Sequence, residues 1–196
     1  GETLSNNLFL PIDFPTIKSF STIDELLVDE SIELIVVNTP NNTHFEFAKK
    51  VLEAGKHVLI EKPATTTPEE FISLIALAKK VNKKVFVYHN RRWSSDIMAT
   101  KSVIASGKLG KIVEMHLRFD RYRRTIGAKT FKETPIPSSG IWYDLGSHLI
   151  DQAISIFGKP IHHYRYKNSF RENSQVDDYA FMHIEFKNNV NVFITT

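Results

Sequence analysis

Short apolar runs alternate with amphipathic stretches through the first half of the chain. The runs are rich in β-branched residues and occupy positions 34–37, 58–60 and 85–88. Such runs are typical of strands buried on both faces of a parallel sheet. Between them, apolar residues recur at helical spacing, at 45–52 and again at 71–81. Strand, helix, strand, helix and strand in succession predict an α/β unit with a parallel sheet and right-handed crossovers.

Capping signals indicate where the helices of this half begin. Residues 22–25 and 43–46 both have the Thr-x-x-Glu spacing of a capping box. Thr67 precedes a proline and two acidic residues, which predicts a third helix start. The core stripe expected for this third helix is Phe71, Leu74, Ile75, Ala78 and Val81. A short strand is also expected at 17–20, before the first helix.

The pattern changes after residue 92. Helical segments are predicted at 95–105 and 144–157, and a proline-containing loop at 123–139. Long strand-like runs occupy positions 112–122, 162–170, 179–186 and 190–195. A polar turn between the last two runs predicts a hairpin. We therefore expect two units, a partial parallel sheet within residues 1–92 and an α+β domain with a mainly antiparallel open sheet within 93–196.

Composition narrows the class of protein without identifying its chemistry. The 196 residues are 42% hydrophobic and 24% charged, as in ordinary globular proteins, and the net charge of +3 is too small to favour nucleic acid as a partner. The absence of cysteine excludes disulfides and thiolate zinc sites. No apolar run approaches the roughly 20 residues of a membrane helix, and the N-terminus lacks a signal peptide pattern. We therefore expect a cytoplasmic protein with no membrane partner.

A glycine-rich turn is missing from the chain. None of the eight glycines forms a G-x-G pair, although nucleotide-binding α/β domains normally begin with a strand, a glycine-rich turn and a helix. A first strand without its neighbour would leave an open apolar edge. We therefore expect the chain to be part of a longer protein, shortened at its N-terminus and within its last sheet.

The strand at 58–60 leads directly into Glu61, Lys62 and Pro63. In open α/β sheets, ligands bind just beyond the carboxyl ends of the strands, so these charged residues lie where chemistry is expected. The peptide bond between Lys62 and Pro63 is a candidate for the cis form.

A second candidate group opens the helix at 144–157. Asp144 and His148 are four residues apart, which places them on one helix face, and Asp151 follows one turn later. A histidine beside a carboxylate can act as a general base. A capping aspartate with a structural histidine is the alternative interpretation. His162 and His163 point to opposite faces of a strand and make a poor metal pair, so no metal site is predicted.

Taken together, the ordered motifs resemble the Gfo/Idh/MocA family of nicotinamide-dependent oxidoreductases. The resemblance covers residues 20–196. Its marks are Thr39-Pro40 with His44, Ala54-Gly55-Lys56-His57-Val58, Glu61-Lys62-Pro63, Asn90-Arg91-Arg92, Gly107-x-x-Gly110-Lys111, and Gly140 with Asp144-x-Gly146-x-His148-x-x-Asp151. The segment 136–146 further resembles a branch that includes scyllo-inositol dehydrogenases.

This resemblance implies the C-terminal part of a Rossmann dinucleotide-binding domain at 1–92 and a substrate and oligomerisation domain at 93–196. It implies hydride transfer between NAD or NADP and a sugar or polyol hydroxyl, with Lys62, Asp144 and His148 as catalytic residues. The small-molecule substrate is the expected partner, together with further copies of the chain in a homo-oligomer formed through the C-terminal sheet. Because the glycine-rich turn is absent, the sequence leaves open whether this chain alone binds cofactor.

The resemblance also implies a set of cofactor contacts. These residues are Thr39, Pro40, Asn41, His44, Glu61, Lys62 and Arg91. Ion pairs between the two halves are an equal alternative for Arg91 and Arg92. Trp93, Trp142 and Tyr143 are candidates for the substrate cleft or for the core, and residues 121–124 (Arg-Tyr-Arg-Arg) for phosphate, polyol or subunit contacts, or for a solvated strand end. A non-catalytic nicotinamide-sensing regulator or assembly subunit is the alternative function.

Overall fold

The computed structural model describes residues 16–127 and 130–196. Seven strands and six α-helices of this part follow one another in the order α1 (Ile23–Leu27), β1 (Leu34–Val37), α2 (His44–Glu53), β2 (His57–Glu61), α3 (Pro68–Lys80), β3 (Val85–Tyr88), α4 (Ser95–Ala105), β4 (Glu114–Arg118), α5 (Thr130–Glu133), α6 (Ser147–Phe157), β5 (His162–Asn168), β6 (Tyr179–Phe186) and β7 (Val190–Thr195). The predicted strand at 17–20 is wrong, since residues 18–20 have no regular structure. No described helix is both long enough and apolar enough to cross a bilayer.

The first sheet is parallel, with the strand order β1-β2-β3. The helices α2 and α3 pack on one face of it, and the core between them contains Val58, Ile60, Leu52 and Leu74, each at most 1% exposed. Burying an aliphatic side chain of this size contributes about 1.5–3 kcal/mol. This core fixes the direction of β2 and therefore the position of the residues that follow it.

The expectation that these strands are buried on both faces is wrong for β1 and β3 within the described residues. Leu34, Val36, Phe86 and Tyr88 lie on the face opposite α2 and α3 and are 44–55% exposed. Two successive right-handed crossovers between adjacent strands put both helices on the same side, which leaves the second face without a helix from this part of the chain.

Capping follows the sequence pattern at two of three helices. Thr67 and Glu70 form a complete capping box at α3, and the Thr22 side chain accepts a hydrogen bond from the Glu25 amide at α1. At α2 the predicted box is absent, because the Thr43 hydroxyl donates instead to the preceding turn. Ile75 is also not a core residue, since it is 39% exposed while Leu77 packs against the first core.

The second sheet is mixed and mainly antiparallel, in the order β4-β7-β6-β5, with only β4 and β7 parallel. One face packs against α6 through residues such as Leu149, Ile184 and Val192. The predicted hairpin between β6 and β7 is confirmed. The fold class predicted from the sequence, a partial Rossmann-like parallel sheet followed by an α+β unit, is therefore confirmed.

Candidate active site

Lys62 stands at the carboxyl end of β2, and the bond to Pro63 is cis as predicted. Its ammonium group reaches across to the second half of the chain. The Lys62 Nζ donates to the backbone oxygen of Asp144 at 2.6 Å and to its carboxylate Oδ1 at 3.2 Å. The two candidates separated by 82 positions in the sequence therefore meet in one place.

Asp144 lies in a π-helical turn, Trp142–Gly146, that leads into α6. The turn needs a glycine at 146, because a Cβ there would lie 2.9 Å from the Trp142 ring. A second ammonium, that of Lys132 on α5, donates to Asp144 Oδ1 at 2.7 Å. The carboxylate of Asp144 is therefore held between two lysines.

This arrangement shifts both pKa values downward. Burial lowers the pKa of Lys62, and the nearby positive charge of Lys132 adds to that effect, while Asp144 opposes it. Burial alone raises the pKa of Asp144, but the Lys132 hydrogen bond and the Lys62 charge outweigh it and hold this pKa below its usual value. Asp144 is thus an anion with enough positive charge around it to stabilise it.

His148 lies on the first turn of α6 and is only 7% exposed. Burial, with the positive charge of Lys62 as the next cause, lowers the pKa of His148 to about 4. Its Nδ1 is buried and has no hydrogen-bond partner among the described residues. The imidazole is therefore neutral near pH 7, which is the form that can accept a proton.

His89 packs against His148 with its ring edge-on, at a centroid distance of 6.4 Å. Burial lowers the pKa of His89 as well, and its Nδ1 also has no partner in the described part of the chain. No pattern in the sequence distinguishes His89 from the residues around it.

Most of the predicted cofactor contacts line one cavity of about 220 Å³ at the ends of β1 and β2. Those that line it are Thr39, Asn41, His44, Glu61 and Lys62. Pro40 does not line it but forms the start of the short turn Asn41–Thr43. Arg91 lies in a different cavity, described below.

The His44 side chain is buried and supports this region from within, and it presents little surface to the cavity. The side chain is 1% exposed, and its two ring nitrogens lie 2.8 Å from the backbone oxygens of Thr39 and Pro63. It therefore ties the end of β1 to the end of β2.

Ser138 completes the same cavity from the other half of the chain. Its backbone oxygen accepts a hydrogen bond of 3.0 Å from Asn41 Nδ2. Its hydroxyl is buried and has no partner among the described residues, and Ser138 is one of the residues that line the cavity. The polar side chains of the lining, among them Thr39, Asn41 and Glu61, suit a ligand with polar groups, such as the carboxamide of a nicotinamide ring. The polar lining therefore fits the cofactor implied by the sequence.

A second cavity, of about 390 Å³, contains His148, Arg91 and Arg121. It shares Lys62, Lys132 and Asp144 with the first cavity. The two lysines and the aspartate therefore form the boundary between a space at the strand ends and a space beside the imidazole. A hydroxyl placed at this boundary would be within the same cavity as both an ammonium and a neutral imidazole.

Arg91 and Arg92 have different surroundings. Arg92 donates two hydrogen bonds to the carboxylate of Asp151, one of them 3.0 Å long from Nε to Oδ2. Arg92 therefore forms an ion pair between the two halves of the chain, which is the alternative given for it above. The Arg91 guanidinium lies over the Phe119 ring at 6.0 Å and forms no ion pair among the described residues. Its backbone oxygen accepts from Gln152 on α6 at 3.1 Å. The Asn90–Trp93 turn thereby fastens α6 to the end of β3.

The aromatic candidates are only partly near the chemistry. Trp142 is 8% exposed and belongs to the second core, and Trp93 is 72% exposed. Trp142 and Tyr143 line a separate, mainly apolar cavity of about 490 Å³ that contains neither Lys62 nor His148.

Comparison with known proteins supplies the family context. The sequence model described as the oxidoreductase family with an NAD-binding Rossmann fold matches residues 9–89, and the model of the GFO/IDH/MocA C-terminal domain matches residues 97–196.

Individual relatives match over most of the chain. An uncharacterized oxidoreductase of Schizosaccharomyces pombe, C115.03, is 48% identical over 75% of this chain and 40% of its own length. The scyllo-inositol 2-dehydrogenase (NADP(+)) IolW of Bacillus subtilis is 36% identical over 89% of this chain and 48% of its own length. The solved structure of an NAD-binding protein from Listeria innocua superposes with a TM-score of 0.84 and 30% identity, covering 91% of this chain and 51% of that one. The chain thus spans about half the length of the relatives that it matches.

Proposed function

The chain belongs to the GFO/IDH/MocA oxidoreductase family, and from that membership we propose that the full-length protein is an NAD- or NADP-dependent dehydrogenase of sugar or polyol hydroxyls. The observation that carries the proposal is the contact of Lys62 with Asp144 at the edge of the cavity that contains His148. Three residue types suited to alcohol oxidation thus come from both halves of the chain.

In the proposed reaction, neutral His148 accepts the proton of the substrate hydroxyl. A hydride leaves the carbon that bears this hydroxyl, and a carbonyl remains. Bound NAD or NADP supplies the acceptor for the hydride. Lys62 donates a hydrogen bond to the reacting oxygen and stabilises the negative charge that develops there. Asp144 holds the Lys62 ammonium in place through two oxygen contacts.

The cofactor contacts in this proposal are Thr39, Pro40, Asn41, His44, Glu61, Lys62 and Arg91. Support comes from the polar cavity at the ends of β1 and β2. The position of Arg91 beside His148 suits the nicotinamide end of the cofactor, where the two cavities adjoin.

The substrate class in this proposal is supported by the names of relatives. One is a scyllo-inositol 2-dehydrogenase, and others are a glucose-6-phosphate 3-dehydrogenase and a D-glucoside 3-dehydrogenase. All three names describe oxidation of a secondary hydroxyl on a ring, which the space beside His148 is large enough to admit.

Turnover by the full-length protein tests the function directly. We expect reduced nicotinamide to accumulate, followed by its near-ultraviolet absorbance, with NAD or NADP and at least one of scyllo-inositol, myo-inositol, common aldoses and their phosphates. A His148→Asn variant is the matched control, because it keeps polarity but cannot accept the proton. Absence of turnover with every compound would favour the non-catalytic alternative.

The lowered pKa of His148 predicts an unusual acid limit. We expect kcat/KM for alcohol oxidation to hold steady through the ordinary histidine range near pH 6.5 and to fall only as the pH approaches about 4. The measurement is the pH profile of kcat/KM, with folding checked by circular dichroism at each pH. A midpoint near 6.5 would contradict the assignment of a buried His148 as the base.

The lowered pKa of His148 also predicts how the free energy of unfolding depends on pH, which can be measured without an activity assay. The unfolded chain takes up a proton at His148 near pH 6.5, whereas the folded chain does so only near pH 4. Between these values the unfolded state binds more protons, so the contribution of this residue to the free energy of unfolding falls as the pH falls. A His148→Gln variant should lose this part of the pH dependence.

A homodimer through the outer face of the second sheet is part of the proposal. The residues that support it are aromatic and partly exposed there, namely Tyr164, Tyr166, Phe181 and Phe193. Light scattering should give the mass of a dimer for the full-length protein, and Tyr164→Lys should shift it toward the monomer. A monomeric wild-type protein would contradict this arrangement.

A further inference from the structure

The cavity beside His148 carries an excess of positive charge. Five basic side chains and two carboxylates line it. The basic residues are Lys62, Arg91, Arg118, Arg121 and Lys132, and the acidic ones are Asp120 and Asp144. Clefts lined mainly by one sign of charge concentrate the field and attract ligands of the opposite sign.

The two carboxylates already form ion pairs with basic side chains of the cavity wall. Asp144 Oδ1 accepts from Lys62 and Lys132, and Asp120 Oδ2 accepts from Arg118 Nε at 2.9 Å. Arg91 and Arg121 therefore remain without an ion pair in the part of the chain that the structure describes. Arg91 is placed over the Phe119 ring, which leaves Arg121 as the less constrained of the two.

Arg121 also borders the neighbouring cavity of about 270 Å³, which extends from Asp144 toward Tyr179. The carboxylates of that cavity are likewise engaged. Glu133 and Asp178 both pair with Arg171, and Asp177 accepts from Lys167 Nζ and from the Trp142 amide, each at 2.8 Å. Arg121 is thus the cation of this second space without an ion pair to a described carboxylate, whereas the charge of Arg123 acts on Glu133 and helps to lower its pKa.

From these observations we propose that the substrate carries an anionic group, a carboxylate or a phosphate ester, on the side away from the reacting hydroxyl, and that Arg121 binds it. The inference rests on the proposed dehydrogenase function for the position of that hydroxyl. The guanidinium of arginine matches the geometry of carboxylate and phosphate with two parallel hydrogen bonds. Arg123, on the rim of the same space, adds to the field that draws the anion in.

Matched substrates test the proposal on the full-length protein. Pairs that differ only in the group at C6 are glucose with glucose 6-phosphate and with glucuronate, and the corresponding hexitol with its 6-phosphate. We expect kcat/KM to be on the order of tenfold or more higher for the anionic member, and this preference to shrink as salt is raised, since salt screens exposed charges. The phosphate and the carboxylate arms identify which anion the site prefers.

Two variants separate Arg121 from general surface charge. Arg121→Gln should remove on the order of tenfold from kcat/KM of the preferred anionic substrate while changing the neutral one little. Arg124→Gln removes the same charge from the same segment at a position that lines neither cavity, and it should leave the preference intact. Equal use of neutral and anionic members, or equal losses on both in Arg121→Gln, would overturn the proposal.

A binding measurement keeps this proposal separate from the dehydrogenase function. If no compound is turned over, isothermal titration with inorganic phosphate and with glucuronate still reports on the anion site. Binding that is weakened in Arg121→Gln but not in Arg124→Gln would support the site even though the proposed reaction had failed. Equal binding to wild type and Arg121→Gln, or no binding to either, would reject the site.

Discussion

Replacing Lys62 by methionine is expected to lower kcat by about 10²–10³-fold, the usual cost of removing a donor to a developing oxyanion. Methionine keeps a side chain of similar length, so the end of β2 keeps its packing. The Asp144 carboxylate keeps its contact with Lys132 at 2.7 Å, which limits structural damage. KM should change little, because the lost interaction strengthens only as charge develops on the oxygen.

Lys56→Met is the matched control for this substitution. Lys56 is 6% exposed, and its Nζ donates to the backbone oxygens of Asp29 at 2.7 Å and Ile32 at 2.8 Å. Its loss should reduce stability while leaving kcat per folded molecule unchanged, because Lys56 lines none of the cavities described here. Full kcat in Lys62→Met, or an equal loss in Lys56→Met, would remove Lys62 from the proposed chemistry.

The sequence predicted the part of this site that depends on local signals. The apolar run before Glu61 identified β2, and the general rule for strand ends in α/β sheets placed Lys62 beside a ligand space. The four-residue spacing of Asp144 and His148 at a helix start placed both near α6. The resemblance to a known family then brought these separate segments together, and the Lys62–Asp144 contact is consistent with it.

Lys132 and Ser138 could not be found in the same way. Both lie in the 123–139 segment, where neither helical nor strand periodicity fixes the direction of a side chain. Their positions depend on contacts with distant residues, such as the hydrogen bond from Asn41 to the Ser138 backbone oxygen. A lysine in a polar loop carries the same local signal whether it points into solvent or toward Asp144.

The errors in the fold also have a physical cause. An apolar run indicates that a strand is hydrophobic but not which layers cover it, so the pattern predicts Val36 and Phe86 in a core that the described residues do not complete. The spacing likewise predicts Ile75 in the core stripe of α3, although Leu77 packs against the core instead. Burial of this kind is decided by tertiary packing rather than by periodicity.

Replacing Arg171 by methionine is expected to have the largest effect on stability, at about 1–3 kcal/mol, because this partly buried pair lies between the range for exposed pairs and the range for removing one partner from a fully buried pair. The Arg171 side chain is 14% exposed and donates to Glu133 and Asp178, which are 13% and 9% exposed. Asp178 keeps two backbone donors, the amides of Phe170 and Arg171. Most of the loss in the free energy of unfolding should therefore come from leaving Glu133 without its arginine partner.

Glu133 ends α5, the helix that carries Lys132. Its carboxylate also accepts from the Gly127 amide at 3.0 Å, and Arg171 donates to the Thr125 backbone oxygen at 3.3 Å. The Arg171 contacts thus hold residues 125–127 and the end of α5 against the segment that leads into β6. In Arg171→Met we expect faster amide hydrogen exchange and proteolysis in 123–139, together with a loss of activity through Lys132.

Lys167→Met is the control for charge removal from the same region. Lys167 pairs with Asp177 at 2.8 Å, and the lysine side chain is 43% exposed although the aspartate is 7% exposed, so water still reaches the ammonium end and the pair should contribute about 1 kcal/mol. Asp177 also keeps the Trp142 amide as a donor. Similar losses of stability in the two variants would show that burial of the Arg171 contacts has no special weight.

The pH dependence of the stability of Arg171→Met distinguishes the loss of the ion pair at Glu133 from a general loss of packing. In the wild type the hydrogen bond from Arg171 lowers the pKa of Glu133 below 4.5, so the stabilisation is present above that pH and is lost as the pH falls through the folded-state pKa. Without Arg171 this stabilisation should shrink, because only the Gly127 amide and the Arg123 charge then oppose the effect of burial on the pKa of Glu133. Adding Glu133→Gln to Arg171→Met should recover part of the lost free energy at pH 7, because the unpaired charge is gone. If the double variant recovers nothing and Arg171→Met keeps the pH dependence of the wild type, the segment is held by its packing and not by this ion pair.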